Sequence, residues 1–121
     1  MFKLEISDPL LLYYYGSRWP SVHHARIRIG CSKLNSDLCN NLHVTDSSQC
    51  DCGALVENAQ HYFLECPFFN ENRISLFNQI GELTIINTNI LLYGNAELNM
   101  DENKRVFDAV HEYIISTKRF D

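Results

Sequence analysis

The sequence predicts a small, mostly α-helical domain, held at one turn or small hairpin by clustered cysteine and histidine side chains. Three observations carry that expectation. Apolar residues recur at helical spacing in several segments, most clearly in the last twenty or so residues. Proline occurs only at positions 9, 20 and 67, so nothing after Pro67 is forced to break a helix. Five cysteines fall between positions 31 and 66, an odd number that argues against a disulfide framework. With 45% hydrophobic and 12% aromatic residues among 121, the chain can bury a core, which excludes wholesale disorder.

The elements follow in order. Residues 1–20 form an aromatic N-terminal segment in which Leu10 to Tyr15 are consecutively apolar or aromatic. Such a run is made to be covered, either by this domain or by a missing upstream region. It falls far short of the ~18 residues that span a bilayer. Glu5, Asp8 and Pro9 also make it a poor secretory signal, so the chain reads as intracellular and soluble, nuclear or cytoplasmic, with no membrane partner.

Residues 21–80 read as a metal-binding helical module and residues 81–121 as a helical tail. Ser21, after Pro20, is expected to cap a short helix reaching Ile29. Leu34, Leu38 and Leu42 sit four apart and predict one face of a second helix. Gln49 to Leu55, with two cysteines and Gly53, read as a tight turn or small hairpin. Val56 to Glu65 is expected to be helical. A further helix should start at Pro67, a favoured first-turn residue, and end at Ile80 before Gly81. Leu83 to Ile86 fits either a strand or a loop. The last helix opens with Asp101 and Glu102 and closes with Lys118 and Arg119, which suits the helix dipole. Its buried face should carry Phe107, Val110, Ile114 and Thr117, flanked by Val106 and Tyr113.

One constellation rises above this background. Cys50, Cys52, His61 and Cys66 form the pattern C-x-C-x8-H-x4-C. Three thiolates and one imidazole are a common tetrahedral set for structural zinc, in which no position stays open for water. Two ligands from a turn and two from a helix terminus close such a site, and Gly53 lets backbone amides approach the thiolates. The predicted fold is therefore a small helical domain with a zinc-stapled turn or hairpin, zinc being its cofactor. Three thiolates on one dication leave a net charge of −1, and Arg73 is a candidate compensating cation. A competing set exists: Cys39 and His43, four apart, could join Cys50 and Cys52. Cys39 lies beside the Leu34–Leu38–Leu42 face, however, where a cysteine packs as a small hydrophobe, and Cys31 reads as a buried thiol too.

The net charge of −5 makes a non-specific phosphate binder improbable for the chain as a whole. It is unevenly spread: residues 1–49 carry +1, residues 50–73 carry −3 and residues 74–121 carry −3. Any nucleic-acid contact must therefore come from Arg18, Arg26, Arg28 and Lys33, beside Trp19 and Tyr13 to Tyr15, which offer cations interleaved with stacking surfaces. Arg26 and Arg28, two apart on a helix, point to different faces. His23, His24 and His111 read as surface or half-buried histidines, and no nucleophile motif is recognisable.

The stretch from His24 to Leu38 contains Arg26, Arg28, Gly30, Ser32 and Leu34 as R-x-R-x-G-x-S-x-L. Cys50 to Gly53, Glu57, His61, Cys66, Pro67 and Arg73 follow. Residues 18–75 thereby resemble the C-terminal zinc-knuckle (CCHC) region of non-LTR retrotransposon endonuclease-reverse transcriptase polyproteins, and Ile90 to Gly94 and Tyr113 to Phe120 are similar to that family's less distinctive tail. The resemblance implies the terminal piece of a longer RNA-directed DNA polymerase, or a truncated copy starting at an internal methionine. Such a piece would help hold template RNA or target DNA beside an upstream reverse transcriptase domain without catalysing. No Y-x-D-D metal motif, endonuclease array or RNase H carboxylate set is present in the chain. Two functions follow from the sequence: a non-catalytic zinc module assisting nucleic-acid binding, or a zinc-stabilised structural or protein-docking domain.

Overall fold

A computed structural model describes residues 9–121, and the expectations that rest on residues 1–8 lie outside the described residues. The helical expectation holds, with no β-strand among the described residues. Four α-helices carry the packing: α1 (Arg18–Ile29), α2 (Asn70–Ile80), α3 (Thr88–Tyr93) and α4 (Met100–Thr117).

Helix α1 begins three residues earlier than expected. Ser17, with extended backbone, takes the N-cap position, and Ser21 is buried inside the helix. Pro20 is accommodated as the third helical residue because first-turn N–H groups have no intrahelical partner anyway. The helix ends on Gly30, at φ +79°, where the Gly30 N–H meets the Ile27 carbonyl and the Cys31 N–H meets that of Arg26. That paired closure needs a left-handed residue, which glycine adopts without strain.

Between α1 and α2 the winding departs from 3.6 residues per turn. Asp37–Asn41 form a wide turn in which the Leu42 N–H reaches the Asp37 carbonyl five residues back. Leu34 is buried and Leu38 half-buried, but Leu42 is exposed, so the expected leucine face does not continue. Wider winding turns the third leucine off the line that an α-helix would keep. The helix expected from Val56 starts only at Ala59 and winds wide from His61–Glu65. Pro67–Phe69 make a tight 3-10 turn that leads into α2, which ends before Gly81 as expected. Leu83 to Ile86 are loop. Helix α3 was not anticipated; Asn87 caps it by accepting the Ile90 N–H at 2.9 Å, and Ile90, Leu91 and Leu92 are all buried.

Helix α4 is the spine. Asn99 and Glu102 form a reciprocal capping box at its start, with bonds of 2.8 and 3.0 Å. Val106, Phe107, Val110, Tyr113 and Ile114 are buried as expected, while Thr117 is half-buried and bonds the Tyr62 hydroxyl. The helix packs against α1, α2 and α3. A single hydrophobic cluster runs from Leu12 through Ile27, Phe63 and Leu91 to Phe120. The segments divided at residues 20 and 80 therefore share one core. Leu12 lies in it, and Tyr13 and Tyr15 pack against it, whereas Leu10 and Tyr14 are exposed.

Two further expectations are corrected. Cys31 is exposed rather than buried, because it follows the αL turn that ends α1. His23, His24 and His111 are buried rather than superficial. His24 Nε2 lies 2.8 Å from the Leu91 carbonyl and its Nδ1 lies 3.1 Å from His111 Nε2. A carbonyl only accepts, so His24 carries its proton on Nε2 and accepts from His111 through Nδ1. No helix among the described residues is long and apolar enough to cross a membrane.

Candidate metal centre

The four residues singled out by spacing converge. One donor atom from each of Cys50, Cys52, His61 and Cys66 lies within 4.8 Å of the others. Local backbone geometry explains how. Gly53, at φ +102°, closes the turn by sending its N–H to the Cys50 carbonyl, and the Cys50 N–H meets the Ala54 carbonyl at 2.9 Å. Cys50 and Cys52 thereby face one side of a tight loop, and the Glu57 N–H bonds the Ser48 carbonyl across its base. The turn expected at Gln49 to Leu55 is present, without strand pairing.

The other two donors come from the wide turn. The Cys66 N–H bonds the His61 carbonyl at 2.7 Å, a five-residue closure that an α-helix would not make. It brings His61 and Cys66 to the same side, and Pro67 then turns the chain away. Wide turns of this kind are often found at functional sites.

Two of the six donor separations are close to what one tetrahedral ion would impose, and all six are within 4.8 Å. Metal–sulfur bonds of ~2.3 Å and a metal–nitrogen bond of ~2.1 Å imply sulfurs ~3.8 Å apart and sulfur–nitrogen separations of ~3.6 Å. Cys50 and Cys66 sulfurs are 3.8 Å apart, and Cys52 Sγ lies 3.3 Å from His61 Nε2. His61 presents Nε2 inward while its Nδ1 lies 3.7 Å from a Glu65 carboxylate oxygen, the side on which metal-bound imidazoles find a carboxylate partner.

The thiols are not alike without an ion. Burial pushes the Cys50 thiol up to about 12 and raises that of Cys66, whereas backbone hydrogen bonding at Ala54 lowers that of Cys52. A dication supplies the charge that makes three thiolates compatible in so small a space. Arg73 is buried beside the site but is bonded to backbone and amide groups rather than to a sulfur: it donates from Nη2 to the Cys66 carbonyl at 2.8 Å, from Nε to the Phe63 carbonyl at 2.9 Å and from Nη1 to Asn70 Oδ1 at 2.7 Å. Cys39 and His43 stand outside the cluster.

The basic residues are only partly gathered. Arg18, Arg26 and Lys33 line one cleft of about 830 Å³ together with Trp19, Val22, His23, Phe120 and Asp121. Arg28 lies elsewhere: its guanidinium sits 3.9 Å over the Tyr13 ring and its Nε donates to the Leu92 carbonyl, so it serves the core. Sequence reading missed the clamp that joins the C-terminus to the metal loop. Arg119 donates to both oxygens of Glu57 at 2.7 and 2.8 Å, and Glu57 also accepts the Asn35 N–H at 2.8 Å. The pairing holds the Arg119 guanidinium above its ordinary pKa. Glu57 stands between Cys52 and His61 without a local signal for this role, and nothing local marks Arg119.

Comparison with known proteins found no matching family model, no similar curated protein and no similar solved structure.

Proposed function

We propose that this chain is a non-catalytic zinc module that assists the binding of single-stranded nucleic acid, in keeping with its resemblance to the C-terminal region of retrotransposon reverse transcriptases. The observation that carries the reading is the cleft that Arg18, Arg26 and Lys33 line together with Trp19, which is 41% exposed, with Asp121 as its one acidic side chain. Cations that track phosphates beside an aromatic face on which a base stacks are what single strands require.

Zinc fits the donor set best, since soft thiolates with one imidazole in tetrahedral array select it over magnesium, calcium or manganese. Four protein donors fill its coordination sphere, so the ion's part is structural. It ties the Cys50 loop to the wide turn after Ala59 and so secures the middle of the chain. The residues of the cleft bind and orient; nothing in the reading asks them to make or break a bond.

Three cations contribute a modest, salt-dependent affinity. A slope of about −0.7 per phosphate contact predicts a roughly 20-fold loss between ~50 and ~200 mM salt for single strands. A gel shift with zinc-loaded protein and single-stranded RNA or DNA tests this. Charge reversal at Arg18 and Arg26 should abolish the shift, and charge reversal at Arg28 should instead unsettle the fold. No shift at low salt with folded, zinc-loaded protein would leave the purely structural reading in its place.

A further inference from the structure

A second groove of about 570 Å³ lies beside the first, and Lys33 lines both. Its walls come from the metal loop (Cys50, Asp51), from Phe68 and Phe69 after it, and from the turn that ends α4 (Thr117, Lys118, Arg119). Hydrogen bonds tie the backbone of the ridge where the grooves meet. Arg119 Nη2 donates to the Lys33 carbonyl at 2.9 Å while the same guanidinium grips Glu57. Its neighbour Phe120 is buried and stacks on His23 in the floor of the first cleft, at 5.1 Å and 11°. Successive residues of the C-terminal turn thus belong to the two grooves, and Lys33 stands where they meet.

Charge and stacking surface continue across that ridge. In the second groove Lys33, Lys118 and Arg119 face Asp51 and Glu57, a net of +1, with Glu57 already matched by Arg119. Lys118 is exposed and sits at φ +56°, the left-handed turn after the last helical residue, so it belongs to no helix face. Phe68 is 61% exposed at the rim, although a ring of that size usually finds cover. An exposed ring and an ammonium with no acidic partner among the described residues repeat the combination of Trp19 and Arg18 that lines the first cleft.

We infer that the bound single strand does not stop in the first cleft but passes over Lys33 into the second groove, where Phe68 stacks a further base and Lys118 takes a further phosphate. The inference rests on the nucleic-acid reading above and extends its site to Phe68 and Lys118, outside the Arg18, Arg26, Arg28 and Lys33 set. It also gives the zinc a place in binding, because the Cys50 loop is one wall of the second groove. Arg119 is a positioning residue in this scheme, since its guanidinium is spent on Glu57 and the Lys33 carbonyl.

Oligonucleotide length separates the two grooves. Zinc-loaded wild-type protein, Phe68→Ala and Lys118→Gln are titrated by fluorescence anisotropy with homopolymeric single strands of about 3 and about 10 nucleotides, while circular dichroism and zinc content confirm the fold. Wild type should prefer the longer strand. Phe68→Ala should weaken the longer strand by about tenfold, and Lys118→Gln should flatten its salt slope by about 0.7, with the shorter strand unaffected in both. Longer-strand binding unchanged in both folded variants would overturn the second groove while leaving the first cleft standing. Failure of wild type to bind either strand at low salt would overturn both.

Discussion

Replacing Arg119 by methionine tests the clamp between the C-terminal turn and the metal loop. Glu57 keeps only 4% of its side chain exposed, and its carboxylate accepts three hydrogen bonds, two of them from Arg119. In Arg119→Met, Oε2 loses the one donor it has and Oε1 keeps only the Asn35 N–H. Removing one partner of a buried pair typically costs 3–5 kcal/mol, because the remaining charge stays desolvated. Arg119 is itself 24% exposed, so water can reach part of the vacated space and about 3 kcal/mol is the expected loss. Against the 5–15 kcal/mol that holds a domain together, that is a large fraction. With a urea dependence of about 1.5 kcal/mol per molar, the midpoint of the zinc-loaded protein should fall by about 2 M. Adding Glu57→Gln removes the stranded charge while keeping an acceptor for Asn35, so the double variant should recover part of the loss. A loss below about 1 kcal/mol for Arg119→Met, or a double variant no more stable than the single, would refute the reasoning.

Cys52→Ser or His61→Ala should lose one equivalent of zinc by atomic absorption and unfold the middle of the chain by far-UV circular dichroism; Cys39→Ser should do neither, and zinc that falls with Cys39→Ser would sink the ligand assignment. Chelation should reproduce the ligand variants, since small metal domains commonly lose structure with the metal. Burial holds His24 well below, and His111 below, the ordinary histidine pKa, so the folded state binds fewer protons than the unfolded one once pH drops under about 6.5. Stability supplied by the neutral pair is thus complete above that pH and is lost progressively as pH falls beneath it; urea melts should show a smaller acid loss for His24→Gln than for wild type, and equal losses would refute it. Asn99→Ala removes the capping box of α4 and should cost about 1 kcal/mol, a melting temperature lower by a few degrees.

The metal donors were legible because their order along the chain carries the information. Cys50, Cys52, His61 and Cys66 lie within seventeen residues, and short spacing leaves few ways to place them other than together. Helix α4 was legible for a related reason: eighteen residues of sustained 3.6-residue periodicity, with its acidic first turn, leave no competing pattern. The leucines at 34, 38 and 42 carry a helical spacing without sharing a buried face. Their spacing implies a face only if the backbone keeps α-helical winding, and here Asp37–Asn41 wind wide. The start of α1 was misplaced for a comparable reason, since both Ser17 and Ser21 suit a cap and Pro20 is tolerated at either reading.

What the sequence determined by itself is what short-range spacing and helical period encode: a mostly helical chain, its spine α4 and a Cys50–Cys52–His61–Cys66 donor set. Tertiary structure alone decided which distant groups meet. It drew Arg18, Arg26 and Lys33 into one cleft and sent Arg28 to the Tyr13 ring. It buried His24 against His111, 87 positions away, and clamped Glu57 to Arg119 across 62. Such pairings depend on how the helices pack around a shared core, and packing is a property of the whole chain that no local pattern of residues records.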